Sequence, residues 1–238
     1  MIAQSRVALI VPTLNEADAI GPALTRVPRD LVDRIVVADG GSRDETVERA
    51  RAAGAEVLSV GRGYGRACWQ GALMAATDCQ IIAFMDGDGA DRPQELPALV
   101  GPIAYGEQDF VIGSRTRGRR EPGSMGIHQV VAGHVVGRLL ALRSGVLYSD
   151  MGALRAIRRD ALLSLNMREM SFGWNIEMQV RAARSGLRML EVPVPYGKRV
   201  GGRSKVAGTI GGTVKAGLSI ASTLFRVMRE PASSPPIP

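Results

Sequence analysis

Asp86 and Asp88 carry the most readable chemistry in this chain. They follow Ile81, Ile82, Ala83, Phe84 and Met85, an apolar run of the length that suits a strand buried on both faces of a parallel sheet. If the extended backbone persists through Gly87, both carboxylates point to one side. With no basic residue between them they repel, and a hard divalent cation that also meets substrate phosphates relieves that repulsion. Gly87 and Gly89 allow close approach of a ligand or an unusual backbone angle. A solvated acidic turn is the competing reading of the same residues.

The elements that must position this pair read as repeated strand-helix units. Val7 to Val11 predicts a buried strand, ended by Pro12 and the polar residues Thr13, Asn15 and Glu16, and Ala17 to Val27 a helix with Ile20 and Leu24 on one face. Arg34 to Ala38 predicts a second strand that stops at Asp39-Gly40-Gly41. Ser42 and Glu45 have capping-box spacing, which opens a helix through Ala53, with Gly54 as its terminator. Glu56 to Val60 predicts a third strand, followed by Gly61-Arg62-Gly63-Tyr64-Gly65 and a helix from Arg66 to Thr77. Successive units of this kind build a parallel, doubly wound sheet whose ligands sit at the carboxyl ends of the strands. Glu16, Asp39, the glycine loop and the Asp86/Asp88 pair all fall at such ends, so they should face one crevice.

Beyond residue 100 the pattern is less regular. Asp109 to Gly113 reads as a strand leading into Arg115, Arg117, Arg119 and Arg120, and residues 127–147 as an amphipathic helix. Trp174 to Ser185 reads as a helix ended by Gly186. Glu191 to Tyr196 suits an edge strand, because its two prolines cannot donate to a ladder. Residues 206–228 form a basic amphipathic segment that could dock on its own domain or lie on an anionic membrane surface. Residues 231–238 read as a disordered tail.

The 238 residues carry 30 Lys and Arg against 23 Asp and Glu, a formal charge of +7 that favours an anionic partner. Cys68 and Cys79 have neither metal-ligand spacing nor a disulfide framework, so a reducing, cytoplasmic compartment is expected. Residues 1–11 are too short for a signal peptide, and no apolar run suits a transmembrane helix. The glycines at 61, 63 and 65 do not give the dinucleotide spacing, no Walker lysine is present, and neither His128 nor His134 belongs to a nucleophilic set. The low aromatic content, 4%, and the absence of a recognised module argue against a nucleic-acid binder.

Val11-Pro-Thr-Leu-Asn-Glu16, Val37-Ala-Asp-Gly-Gly-Ser42, Gly63-Tyr-Gly-Arg-Ala67, Met85-Asp-Gly-Asp88, Ile112-Gly-Ser-Arg115 and Arg199-x-Gly-Gly-x-Ser-Lys205 occur in that order. Together they resemble the family 2 glycosyltransferases of GT-A fold, within them the dolichyl-phosphate mannose synthase-like branch. The resemblance implies an α/β architecture: a single Rossmann-like domain over residues 1–205, with a mostly parallel central sheet flanked by helices; the helical segment read from its own apolar spacing follows at 206–230. It implies that Pro12, Leu14, Glu16 and Asp39 hold the base and ribose of a nucleotide sugar of GDP-mannose or UDP-glucose type, with a backbone contact at Val37. Asp86 and Asp88, with Gly87 between them, would bind Mg²⁺ or Mn²⁺ on its diphosphate, and Asp88 is counted with the catalytic residues. Arg115, Arg199 and Lys205 would bring positive charge to the diphosphate or to a phosphate acceptor.

The implied reaction is an inverting transfer to a polyprenyl phosphate or other lipid acceptor met at the membrane surface. A hydroxyl acceptor would instead require a general base, for which Glu177 is the strongest candidate, although Arg181 four residues on also suits an ordinary helix-surface pair. Asp150 matches an aspartate of a family segment that is one residue shorter here. Asp91 neighbours Ala90, which stands where the mannose synthases carry a glutamine. From another class, a nucleotide-sugar-binding regulator without turnover would use the same donor residues.

Overall fold

Four parallel strands form where the apolar runs place them: β1 (Val7–Thr13), β2 (Arg34–Asp39), β3 (Glu56–Ser59) and β4 (Ile81–Phe84). The computed structural model describes residues 5–126, 137, 148–200 and 210–230, and the side chains of the last helix from 217 onward. Of the expected helix over 127–147 only Gly137 is described, in a helical conformation, and both histidines, Lys205 and the 231–238 tail lie outside the described residues.

β1 is flanked by β2 and β4, and the full strand order is β3-β2-β1-β4-β6-β5-β7. β5 (Phe110–Ser114) pairs in parallel with the edge strand β7 (Met189–Pro193). β6 (Arg155–Arg158) runs antiparallel between β4 and β5. The sheet is therefore mostly parallel, as expected, and Pro193 sits on an edge strand where a missing donor is tolerated.

Strand alternation divides the core into two layers. Val7, Leu9 and Val11 pack with Ile20 and Leu24 of α1 (Ala17–Thr25) and with Leu96 and Leu99 of α4 (Leu96–Ala104). Ala8 and Ile10 pack on the other face with Cys68 and Ala72 of α3 (Tyr64–Ala75) and with Trp174 and Met178 of α6 (Trp174–Arg184). Small residues bring α3 onto the sheet. A Cβ at Gly71 would lie 2.5 Å from Ile10 Cγ2, so glycine is needed for that approach. A short helix, α5 (Arg159–Ser164), follows β6, and the chain ends in α7 (Ile210–Arg229), which packs against α6 through Val227 and neighbours.

Two local expectations change. The helix α2 is Thr46–Ala52, and its entry has no side-chain cap. The capping box does not form because the Ser42 amide and hydroxyl both donate to Asp39 instead. The helix α3 begins at Tyr64, earlier than Arg66, so the tyrosine of the glycine loop is its first residue.

Candidate active site

The ends of β1, β2 and β4 are neighbours in the sheet, with Thr13 opposite Asp39 and Ile10 opposite Phe84. Met85 N–H still donates to Ile10 O, but the chain then leaves the ladder and turns at Gly87 and Asp88, with Gly89 at φ +77°. Extended backbone does not continue through Gly87, so the two aspartates are brought together by a turn and not by strand alternation. Gly87 lies tight against β1, where a Cβ would meet Thr13 Cγ2 at 2.7 Å.

Each aspartate keeps one oxygen in the protein framework. Asp86 Oδ1 accepts a hydrogen bond from Tyr64 Oη at 3.0 Å, and Asp88 Oδ1 accepts one from its own turn, Ala90 N–H, at 3.0 Å. A third carboxylate, Asp91, is buried and accepts the Asp86 amide at 3.0 Å, so it braces the loop from within. Burial, followed by the charge of Asp88, pushes the Asp86 carboxyl above its ordinary range. Asp91 is pushed up by burial and by the charges of Asp86 and Asp88. Among the described residues, no three His, Cys, Asp or Glu side chains form a ready-made cation cage. The donor set still suits a hard cation: Asp86 Oδ2 has no hydrogen-bond partner among the described residues, Asp88 Oδ2 faces only an arginine, and Mg²⁺-type ions commonly take one or two carboxylates and complete their shell with substrate phosphates.

That arginine is Arg199. Its Nη2 donates to Glu16 Oε1 at 2.9 Å while its Nε stands 3.6 Å from Asp88 Oδ2. The strap carrying it is tied down by Gly197 N–H to Ala90 O and Val200 N–H to Asp88 O, both 2.9 Å. Asp39 spends its carboxylate on its own loop, accepting the Gly41 and Ser42 amides at 2.9 Å. Ser42 Oγ in turn accepts the Asn15 amide, and Asn15 Oδ1 accepts the Arg43 amide, so the turns after β1 and β2 are stitched together. Leu14 is half-buried at this rim. Pro12 and Val37 are buried within their strands, and Val37, flanked by Val11 and Val57, takes a packing position below the strand end.

Arg115 is committed to a partner that its motif does not reveal. Nε and Nη2 fork onto Asp150 at 2.8 Å each, the Arg115 amide donates to the same carboxylate, and the guanidinium lies over the Tyr196 ring, 4.9 Å from its centre. Against burial, which works the other way, this fork holds the Asp150 carboxyl below its ordinary range. Arg115 still faces the acidic loop, where its charge, like that of Arg199, opposes the upward push on Asp86.

Glu177 does not join this cluster. It is fully buried, and its Oε2 accepts the Arg168 and Glu169 amides at 2.9 and 2.6 Å. Its Oε1 accepts Arg181 Nε at 3.0 Å and Arg226 Nη1 at 3.3 Å. The expected helix pair with Arg181 is present, but the carboxylate also ties α6 to the 168–169 loop and to α7, so no acceptor hydroxyl reaches it. Tyr64 is the site residue that motif reading passes over. Its signal was its place as the sole aromatic among the loop glycines, at the carboxyl edge of the sheet.

The model of glycosyl transferase family 2 matches residues 8–165. An uncharacterized glycosyltransferase of Mycobacterium tuberculosis is 36% identical over 220 residues, 90% of this chain and 96% of that protein. An undecaprenyl-phosphate mannosyltransferase of Micrococcus luteus is 32% identical over 230 residues, 87% of this chain and 90% of that protein. Among solved structures, glucosyl-3-phosphoglycerate synthase from Mycobacterium tuberculosis in complex with Mn²⁺, UDP-glucose and phosphoglyceric acid superposes with a TM-score of 0.75 at 26% identity, covering 97% of this chain and 82% of that one. The match spans the strands, and the turns after them, that carry Glu16, Asp39, Asp86 and Asp88, and with the sheet order it shows that the chain is a GT-A glycosyltransferase belonging to family 2.

Proposed function

We propose that the chain moves a glycosyl group from a nucleoside diphosphate sugar to a phosphate-bearing acceptor, with a divalent cation held between Asp86, Asp88 and the donor diphosphate. The observation that carries this reading is the crowding of three carboxylates after β4, the half-buried Asp86 and Asp88 and the buried Asp91, beside the strand ends that hold Glu16 and Asp39. The cation, when bound, stabilises the negative charge that grows on the departing diphosphate. Glu16, Leu14 and Asp39 hold the nucleoside end of the donor, and Arg199 supplies positive charge beside the diphosphate. An acceptor oxygen attacks the anomeric carbon, the bond from that carbon to the diphosphate oxygen breaks with its electron pair on the leaving group, and the centre inverts.

The burial of Glu177 supports an acceptor that needs no base. With Glu177 sealed inside the protein, an acceptor that arrives already ionised needs no proton removed, and a phosphate monoester meets that condition near neutral pH. The mannosyltransferase relative named for undecaprenyl phosphate supports a polyprenyl phosphate. No helix among the described residues is long and apolar enough to cross a membrane. A lipid acceptor would be met through the outer face of α7, where Leu218 and Phe225 are 66% and 61% exposed and Arg229 stacks on the Phe225 ring.

A thermal-shift series with UDP-glucose and GDP-mannose, each with and without Mn²⁺, tests the donor reading, since only a true ligand raises native-state stability. Stabilisation by one donor that needs the metal and disappears in Asp88→Asn supports it. Stabilisation by neither donor removes it, and binding without turnover on any phosphate acceptor points to the regulator instead.

A further inference from the structure

We infer that Tyr64 is the positioning residue of the cation site: its hydroxyl fixes the rotation of the Asp86 carboxylate so that Oδ2 is presented to the metal. The inference rests on the cation reading above.

Asp86 lies beyond the last ladder residue of β4, and the terminal torsion of an aspartate is broad and roughly two-fold, so nothing in the strand itself orients its carboxylate. The contact that does so is Tyr64 Oη to Oδ1 at 3.0 Å. Oδ2 is left without a hydrogen-bond partner among the described residues. A donor behind a metal-ligating carboxylate sets its direction and its readiness to bind.

The tyrosine is itself held rigidly, because it opens α3 between two glycines that are pressed on the 169–171 loop. Gly65 and Arg66 amides donate to Ser171 O at 3.2 Å and Met170 O at 3.1 Å. A Cβ at Gly63 would lie 2.6 Å from Met170 O, and one at Gly65 would overlap the Glu169 carbonyl oxygen. Gly63 also adopts φ +135°, which disfavours any side chain. The loop is fixed in turn by the Glu177 carboxylate beneath its amides and by Thr223 Oγ1 of α7, which donates to Glu169 Oε2 at 2.9 Å. The glycines around Tyr64 thus serve close packing of the helix start, and the packing aims a phenol at a carboxylate. No phosphate-cradling role is needed to account for them.

The test is a titration of Mn²⁺ by electron paramagnetic resonance in the presence of UDP and, separately, of GDP, for the full chain and for Tyr64→Phe and Asp88→Asn. Tyr64→Phe keeps the ring and removes only the donor, so it should melt within about 4 °C of the unaltered protein. Its Mn²⁺ affinity should fall about tenfold or more, while binding of the nucleotide alone is unchanged and turnover recovers when Mn²⁺ is raised to saturation. A purely structural tyrosine would not separate metal affinity from nucleotide affinity in this way. Should Asp88→Asn lose Mn²⁺ while Tyr64→Phe binds it as the unaltered protein does, the positioning role is wrong and the cation reading stands. Should the unaltered protein bind no Mn²⁺ with either nucleotide, both are wrong.

Discussion

Arg199 reaches Glu16 across 183 residues of sequence, with Nη2 2.9 Å from Oε1. The same guanidinium lies 3.6 Å from Asp88, so one cation joins the end of β1 to the loop after β4. It stands between the carboxylate assigned to the nucleoside and one assigned to the metal. Arg199→Gln keeps a donor but removes the charge. A charge-assisted, largely buried fork contributes about 2 kcal/mol, which for a chain of this size is roughly 4–8 °C of melting temperature. Calorimetry checks this, and an unshifted transition would show that the fork carries no weight in the folded state.

Glu177→Gln separates the two roles open to that residue. As a general base its loss would lower turnover by about 10²–10⁴ with the transition temperature nearly unchanged. The observed contacts imply the reverse: about 3 kcal/mol of destabilisation from disrupting a buried charged network, with turnover per folded molecule kept within about threefold. Rate and melting curve measured on the same preparation decide it.

Arg115→Lys is not a conservative change, because a lysine cannot reproduce two parallel N–H donors to one carboxylate. Asp150 is 2% exposed and would retain one donor in place of the fork. A loss of about 3 kcal/mol, roughly 6–12 °C, is expected. Arg115→Lys melting at the unaltered temperature would mean that the fork is replaceable.

Acid should loosen the junction of β5, β6 and β7. The Arg188 fork at 2.9–3.0 Å, and Arg158 beside it, hold the Asp109 carboxyl below its ordinary value of 3.8. A carboxyl whose folded value is depressed adds stability that is fully present above 3.8 and is lost as pH falls through the lower, folded value. Both arginines are about half exposed, so the contribution is about 1 kcal/mol after screening. Urea melts of the unaltered protein and Asp109→Asn should therefore differ at pH 6 and converge near pH 2. A gap that stays constant across that range would assign the effect to packing.

Much of the frame was legible from local pattern. The apolar runs at 7–11, 35–38 and 81–85 are continuous because their strands are covered on both faces, and their alternation with helical segments points to a parallel sheet. Asp39 and Asp86 were legible as rim residues because each follows such a run directly, and Glu16 because it lies in the polar segment that ends the first. Local pattern failed where a side chain had two partners to choose from. Ser42 has the spacing of a cap and is taken by Asp39, and Glu177 has the spacing of a surface pair and is also claimed by the 168–169 amides and by Arg226.

By itself, then, the amino-acid order determined the strand-helix units, the acidic ends of those strands and the family that carries them, since each depends on neighbours a few positions apart. Tertiary structure alone decided that Arg199 meets Glu16, that Arg115 meets Asp150, that Tyr64 holds Asp86 and that Glu177 is sealed. Those pairings join residues 22 to 183 positions apart in the first three cases, and in the last they depend on α7 docking against α6. Their geometry is set by how the strands are ordered in the sheet and how closely helices approach it, and no local periodicity encodes either.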